Sequence, residues 1–163
     1  MTTTPGHADQ AERVAVHEAG HAVAAVLLKG TPRGSVSAQP AEAAKAHLEY
    51  PLHLVAPGRW EARSPQFEAD LLARLAGPAA ERAILGSADP ATEAVDERIV
   101  LDALLAKGRR GEGAATALDE LRALADAFVV EALPVIQAAS ADLAARDRVD
   151  GLAFAAWVRS RVP

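Results

Sequence analysis

Residues 11–30 read AERVAVHEAGHAVAAVLLKG, and most of them belong to the predicted central helix. The segment is rich in Ala, Val and Leu and contains no proline, so we expect a largely buried helix from about Ala8 to Lys29, with Gly30 as its stop. Gly20 is unfavourable inside a helix, by about 1 kcal/mol relative to alanine. Its missing side chain predicts that another segment packs closely against the helix at this point.

Within this helix, His17-Glu18-Ala19-Gly20-His21 has the H-E-x-x-H spacing of zinc hydrolases. Four residues advance about 400° around a helix, so the two imidazoles share one face and can bind one metal ion. A catalytic zinc site takes three protein ligands and leaves the fourth position to water. Glu18 borders that position and is the candidate general base that removes a proton from the water.

The alternative is that both histidines are polar side chains satisfied within the fold, without a metal. Burying two imidazoles and a carboxylate in an apolar helix without a ligand is costly, which favours metal binding. A third protein ligand must lie outside the motif, because the residues after His21 lack the glycine and histidine of the metzincin extension. The other histidines are His7, His47 and His53. A carboxylate on a later helix is the better candidate, and the candidates are Glu81, Glu93, Asp96 and Glu97.

Two segments resemble the peptidase domain of the FtsH family of membrane-bound, ATP-driven zinc proteases. VAVHEAGHAVAA at residues 14–25 is similar to the zinc-site helix of that family, and LAGPAAERAILG at residues 75–86 is similar to its helix with a Gly-Gly-Arg-x-Ala-Glu-Glu core. Val95-Asp96 stands where the family has the Asn-Asp pair that opens the helix of its third, aspartate, ligand. The resemblance therefore implies Asp96 as the third zinc ligand and places Glu81 beside the site.

The resemblance covers about residues 11–162 and implies a single FtsH-like peptidase domain. Three positions differ from the family pattern: Val95 replaces the asparagine, Pro78 replaces the arginine after the glycine pair, and Arg82 replaces the second glutamate. None of the three is a proposed ligand. They change the hydrogen bonding around the ligands, and such neighbours commonly alter metal affinity by about 10- to 100-fold.

The fold class predicted for residues 1–163 is mostly α: a compact, helical, zinc-metalloprotease-like domain with residues 1–7 as a flexible tail. Apolar residues alternate over residues 47–54, which predicts a strand, and residues 35–39 are its expected partner. This would form a small antiparallel β-hairpin between the first and second helices. Pro51 places the strand at a sheet edge, where an extended peptide substrate could add as a further strand.

Proline and capping residues mark the later helices. The predicted segments are a helix from Ser64 to about Leu75, an interruption at Ala76-Gly77-Pro78, a helix to Leu85, a helix from Asp89-Pro90 to about Lys107, a helical hairpin or bent helix over Ala114 to Arg146 with a kink or break at Pro134, and a last helix capped by Asp150.

Composition and charge exclude several function classes. The formal net charge of −5 argues against nonspecific nucleic-acid binding, and the absence of cysteine excludes disulfides and thiol catalysis. The longest uninterrupted apolar stretch, residues 22–28, is far shorter than the roughly 20 residues that cross a bilayer. The opening MTTTPGHADQ lacks a secretory signal pattern, so we expect no membrane span and a cytoplasmic location. The chain also lacks a phosphate-binding G-x-x-x-x-G-K-[ST] loop, so we expect no ATPase module of its own.

The sequence thus predicts a zinc-dependent metallopeptidase that hydrolyses peptide bonds in unfolded or flexible polypeptides. Zn²⁺ would be held by His17, His21 and Asp96, with Glu18 activating water. Polypeptide substrates are the expected partners, and a separate ATPase or a second copy of the chain are further candidates. The alternatives are a noncatalytic metal-binding or scaffold protein and a zinc hydrolase that acts on a nonpeptide amide.

Overall fold

The computed structural model describes residues 6–29, 35–36, 65–108, 111–146 and 148–162. This part of the chain is mostly helical, which confirms the prediction of a mostly α fold. The elements, in chain order, are α1 (Gly6–Lys29), β1 (Ser35–Val36), α2 (Pro65–Leu85), α3 (Pro90–Ala106), α4 (Glu112–Ala145), β2 (Val149–Asp150) and α5 (Gly151–Arg159).

Helices α1, α2 and α4 form the core, and each packs against the other two. The α1–α2 contact is close because small residues meet there. A Cβ added to Gly20 would lie 2.4 Å from the carbonyl oxygen of Ala76 and 2.8 Å from Cβ of Ala80. The predicted close approach at Gly20 is therefore confirmed, and it brings the histidine-bearing face of α1 against α2.

The predicted interruption at Ala76-Gly77-Pro78 is wrong, because α2 continues through Pro78 to Leu85. A proline inside a helix removes one main-chain hydrogen bond, here to the carbonyl of Arg74, and its ring crowds the preceding turn. Pro78 is fully buried among core residues of the same helix. Burial of this part of α2 against α1 outweighs the local cost of the proline.

Helix α4 likewise continues through Pro134 as a single helix of 34 residues. Of the alternatives predicted there, the hairpin and the break are therefore wrong, whereas a single helix, bent or kinked at Pro134, is compatible with the structure. Buried residues lie on both sides of the proline, including Val129 and Ile136. The apolar face of α4 therefore stays in register with the core across the proline.

The two short strands pair antiparallel, with Ser35 opposite Asp150 and Val36 opposite Val149. The predicted strand at residues 47–54, with Pro51, His47 and His53, lies outside the described residues. The described partner of β1 is therefore the segment that precedes α5, and the predicted hairpin is not among the described elements.

Helix α3 begins as predicted. The side chain of Asp89 is its N-cap and accepts a hydrogen bond from the backbone N–H of Ala91 at 2.9 Å, and Pro90 occupies the first turn. Three residues of α3 are buried: Asp96, Val100 and Leu104. Because α3 packs on α2 and α4, this buried face turns Asp96 towards the core.

The last helix is also capped as predicted, since the side chain of Asp150 accepts a hydrogen bond from the N–H of Ala153 at 3.0 Å. In the described part of the chain, α4 is long and apolar enough to cross a membrane by length and composition alone. Of its most apolar stretch, 39% is buried inside the fold, and a core helix meets the same criterion. This is weak evidence, and the absence of a membrane span stays a prediction.

Candidate metal centre

Three side-chain atoms from α1 and α3 converge at one point. His17 Nε2 lies 2.9 Å from His21 Nε2 and 3.1 Å from Asp96 Oδ2, and His21 Nε2 lies 3.3 Å from the same oxygen. In an ideal tetrahedral zinc site with bonds of about 2.1 Å, ligand atoms are about 3.4 Å apart. The three residues could therefore hold one metal ion.

The geometry follows from helix periodicity and one long-range contact. His17 and His21 lie one turn apart on α1, with their ring centroids 4.5 Å apart and the ring planes at 86°. Asp96 reaches the two rings from α3. The structure thus brings together the three residues that the sequence predicts as ligands.

The hydrogen bonds on the outer side of each imidazole orient both rings. His17 Nδ1 lies 2.5 Å from the Glu81 carboxylate, and His21 Nδ1 lies 2.9 Å from the carbonyl oxygen of Ala73. Because both partners can only accept, each Nδ1 carries the proton and donates it. Each neutral ring therefore presents the lone pair of its Nε2 to the common point, as in metal-binding histidines.

Asp96 Oδ2 is buried and has no hydrogen-bond partner among the described residues, although both Nε2 atoms lie close to it. Two neutral imidazole nitrogens and a carboxylate oxygen are all acceptors. An acceptor buried without a donor costs about 1–3 kcal/mol, and more when it is charged. The cluster therefore requires a positive charge at its centre, which either a metal ion or a proton on one histidine supplies.

In the metal-free protein, the pKa values of His17 and Asp96 favour a positive charge at the centre of the cluster. Burial by itself lowers the pKa of His17, but its contacts with Asp96 and Glu81 outweigh burial and raise that pKa to about 9. Burial raises the pKa of Asp96, but the contacts with His17 and His21 hold it well below the usual carboxyl range. Without a metal, His17 is therefore protonated, and its positive charge lies between the carboxylates of Asp96 and Glu81.

Glu81 is a neighbour of the site rather than one of its three converging groups. Its side chain is 1% exposed, and while one oxygen accepts from His17, the other accepts from Arg13 at 2.7 Å and from the backbone N–H of Asp89 at 2.8 Å. Burial raises the pKa of Glu81, but the hydrogen bonds from His17, Arg13 and Asp89 outweigh it and lower that pKa. Glu81 thus joins α1 and α2 to the start of α3.

The other two candidate ligands, Glu93 and Glu97, form ion pairs instead. Glu93 pairs with Arg82 of α2, and Glu97 accepts from Nε of Arg122 of α4 at 2.7 Å. Arg82 also reaches Asp126 at 2.8 Å. Arg82, which departs from the FtsH-like pattern, therefore helps to hold α3 against its neighbours.

Glu18 is partly buried on α1, and its charge acts on His17, raising the pKa of that ring. It makes no hydrogen bond or ion pair with the rest of the described chain. Its carboxylate is therefore not hydrogen-bonded to another group within the described residues.

Two residues of the site carry no recognisable signal in the sequence. Gly77 packs against the histidines: a Cβ there would lie 2.6 Å from Cε1 and Nε2 of His21 and 3.0 Å from Nε2 of His17. Arg74 places Nη1 3.5 Å from Asp96 Oδ1. A glycine next to a proline favours a helix break, so the sequence did not indicate that the histidine rings pack against Gly77.

No protein-family model matches this chain, and no curated protein sequence does. The resemblance to FtsH peptidases therefore rests on residues 14–25, residues 75–86 and Val95-Asp96.

Proposed function

We propose that this chain is an FtsH-like zinc metallopeptidase that hydrolyses peptide bonds in unfolded or flexible polypeptides. The observation that carries the proposal is the convergence of His17 Nε2, His21 Nε2 and Asp96 Oδ2 within 3.3 Å of one another. The buried Asp96 oxygen without a hydrogen-bond partner supports a cation at their centre.

The donor set favours zinc. Two neutral imidazoles and one carboxylate suit this borderline-soft ion, and three protein ligands leave the fourth tetrahedral position for water or substrate. The Nδ1 hydrogen bonds to Glu81 and to the Ala73 carbonyl are of the kind that fixes the tautomer of zinc-binding histidines. The residues present therefore fit a catalytic zinc ion.

Glu18 is the proposed general base. When bound, zinc would polarise the scissile carbonyl and lower the pKa of a water molecule towards neutrality. Glu18 would accept a proton from that water and later donate it to the departing amine. Its partial exposure and lack of other described partners leave the carboxylate able to do so.

The burial of the site favours an extended substrate. The side chains of His17, His21 and Asp96 are 10%, 13% and 5% exposed. A folded protein surface cannot reach such recessed groups, so the proposed substrate is a flexible segment. Supply of unfolded polypeptide by a separate ATPase, or assembly of several copies of the chain, belongs to the same proposal.

The test measures zinc and cleavage separately. We expect the purified protein to bind one zinc ion and to cleave casein, and Glu18→Gln to retain zinc while losing cleavage. Glu12→Gln changes an exposed carboxylate on the same helix and is the matched control, which should leave both properties intact.

Two outcomes would contradict the proposal. Cleavage at the wild-type rate by Glu18→Gln would exclude Glu18 as the base. A zinc-loaded wild-type protein that cleaves no unfolded polypeptide would instead favour the noncatalytic metal-binding alternative.

A further inference from the structure

Arg74 lies at the rim of the metal centre. It follows Ala73, whose carbonyl orients His21, and its Nη1 is 3.5 Å from Oδ1 of Asp96. The other oxygen of Asp96 is one of the three converging atoms. The Arg74 side chain is 45% exposed, whereas that of Asp96 is 5% exposed. Arg74 therefore links the buried site to solvent.

Most N–H donors of the Arg74 guanidinium have no hydrogen-bond partner within the described residues. Arg82 and Arg122, two arginines that contact α3 from neighbouring helices, each pair with two carboxylates at shorter distances. Arg74 makes one contact, at 3.5 Å, and no other hydrogen bond or ion pair with the described chain. A guanidinium has five N–H donors, so at least four make no hydrogen bond within the described residues.

A carboxylate is the group that best matches these donors. The planar guanidinium fork binds a carboxylate through two parallel hydrogen bonds, and charge-assisted bonds of this kind are roughly twice as strong as neutral ones. Neutral peptide groups can occupy one donor but cannot balance the charge. An anionic group on the substrate is therefore the expected partner.

We propose that Arg74 is a specificity-determining residue that binds a carboxylate of the substrate close to the scissile bond. This proposal rests on the proposed peptidase function and adds to it a substrate preference. The carboxylate is either the C-terminus of a peptide or an Asp or Glu side chain within it.

The short path from Arg74 to the site limits where that carboxylate can lie. Only the Asp96 carboxylate separates the guanidinium from the point of convergence. An extended peptide advances about 3.3–3.6 Å per residue, so a carboxylate on Arg74 lies within about two residues of the carbonyl at that point. The preference should therefore affect the residues that immediately flank the cleaved bond.

The test measures binding without turnover. Zinc-loaded Glu18→Gln protein is titrated calorimetrically with short flexible peptides in matched pairs: free C-terminus against C-terminal amide, and an internal Glu against Gln. Mass spectrometry verifies that the peptides stay intact. We expect the anionic member of at least one pair to bind about tenfold more tightly, as one well-formed charge-assisted contact provides. The pair that shows the difference identifies the source of the carboxylate.

Arg74→Gln in the same background should abolish this difference and leave zinc occupancy unchanged. Arg98→Gln is the matched control, because Arg98 is an exposed arginine on α3 that pairs with Asp102, and it should leave the difference intact. Zinc itself attracts carboxylates, and the comparison of Arg74→Gln with Arg98→Gln separates that attraction from the effect of Arg74.

Equal binding of both members of both pairs would overturn the proposal, as would a difference that survives in Arg74→Gln. Loss of zinc from Arg74→Gln would also overturn it, because Arg74 would then position Asp96 rather than substrate. A wild-type protein that cleaves nothing would contradict the peptidase function alone, since the binding difference does not depend on cleavage.

Discussion

Gly77→Ala should greatly weaken metal binding while leaving the helix intact. The added Cβ would lie 2.6 Å from Cε1 and Nε2 of His21. Ordinary carbon contacts are about 3.5–4.0 Å, so the ring must move by about 1 Å or more. Metal–ligand distances tolerate deviations of about 0.2 Å. A displacement of that size removes His21 as a ligand. Helix α1 does not move away to accommodate the new methyl group, because it packs closely on α2 at Gly20.

The expected effect is a fall in zinc affinity of about 100-fold or more, since changes to groups that only orient a ligand already cost about 10- to 100-fold. Local helix propensity changes in the opposite direction, because alanine is favoured over glycine in a helix by about 1 kcal/mol. The substitution should therefore damage the site more than the secondary structure, which a competition titration with a chromophoric chelator and circular dichroism would show.

Gly113→Ala is the matched control. Gly113 lies in the first turn of α4, and a Cβ there meets nothing within 4 Å. This variant should bind zinc as the wild type does. If Gly77→Ala bound zinc within about threefold of the wild-type affinity, which is well under 1 kcal/mol, the geometry of the site would be refuted.

Two further predictions concern the charges of the site. Asp96→Ala should lower the zinc stoichiometry of the purified protein, and full occupancy in that variant would exclude Asp96 as a ligand. In the presence of EDTA, the free energy of unfolding should fall as the pH rises from 6.5 to above 9. Folding raises the pKa of His17 from 6.5 to about 9, so the protonated ring stabilises the fold fully below pH 6.5. This contribution is lost as the pH rises past about 9. The loss is about 3 kcal/mol in urea unfolding, and His17→Asn should flatten the profile; equal wild-type stability at pH 6.5 and 9.5 would contradict the role of the His17 charge.

The parts of the fold that the sequence predicted are those controlled by local chemistry. The first helix, the N-caps of Asp89 and Asp150 and the helical spacing of His17 and His21 each depend on residues within a few positions of one another. Asp96 was reached through the resemblance to a family and not through spacing, since 75 residues separate it from His21 and chain geometry alone does not bring them together.

The errors arise where tertiary packing overrides a local preference. Pro78 and Pro134 favour helix ends locally, yet burial of the surrounding residues keeps α2 and α4 continuous. A strand of two residues has no periodicity from which to predict a partner, so the pairing of β1 with β2 was not foreseen. Gly77 contacts the two histidine rings and Arg74 contacts Asp96. These contacts join residues that are distant in the sequence, so no local pattern predicts them.

The departures from the FtsH-like pattern can be understood as a different way of fixing the third ligand. The apolar contacts of α3 with the core are made by the buried Val100 and Leu104 and the partly buried Leu101 and Ala103. The ion pairs of Glu93 and Glu97 flank Asp96 on the same helix and attach it to α2 and α4. Arginine at position 82 can make such a pair, and a glutamate there would repel Glu93. The ion pairs of Glu93 and Glu97 on either side of Asp96 therefore help to position this carboxylate against α1.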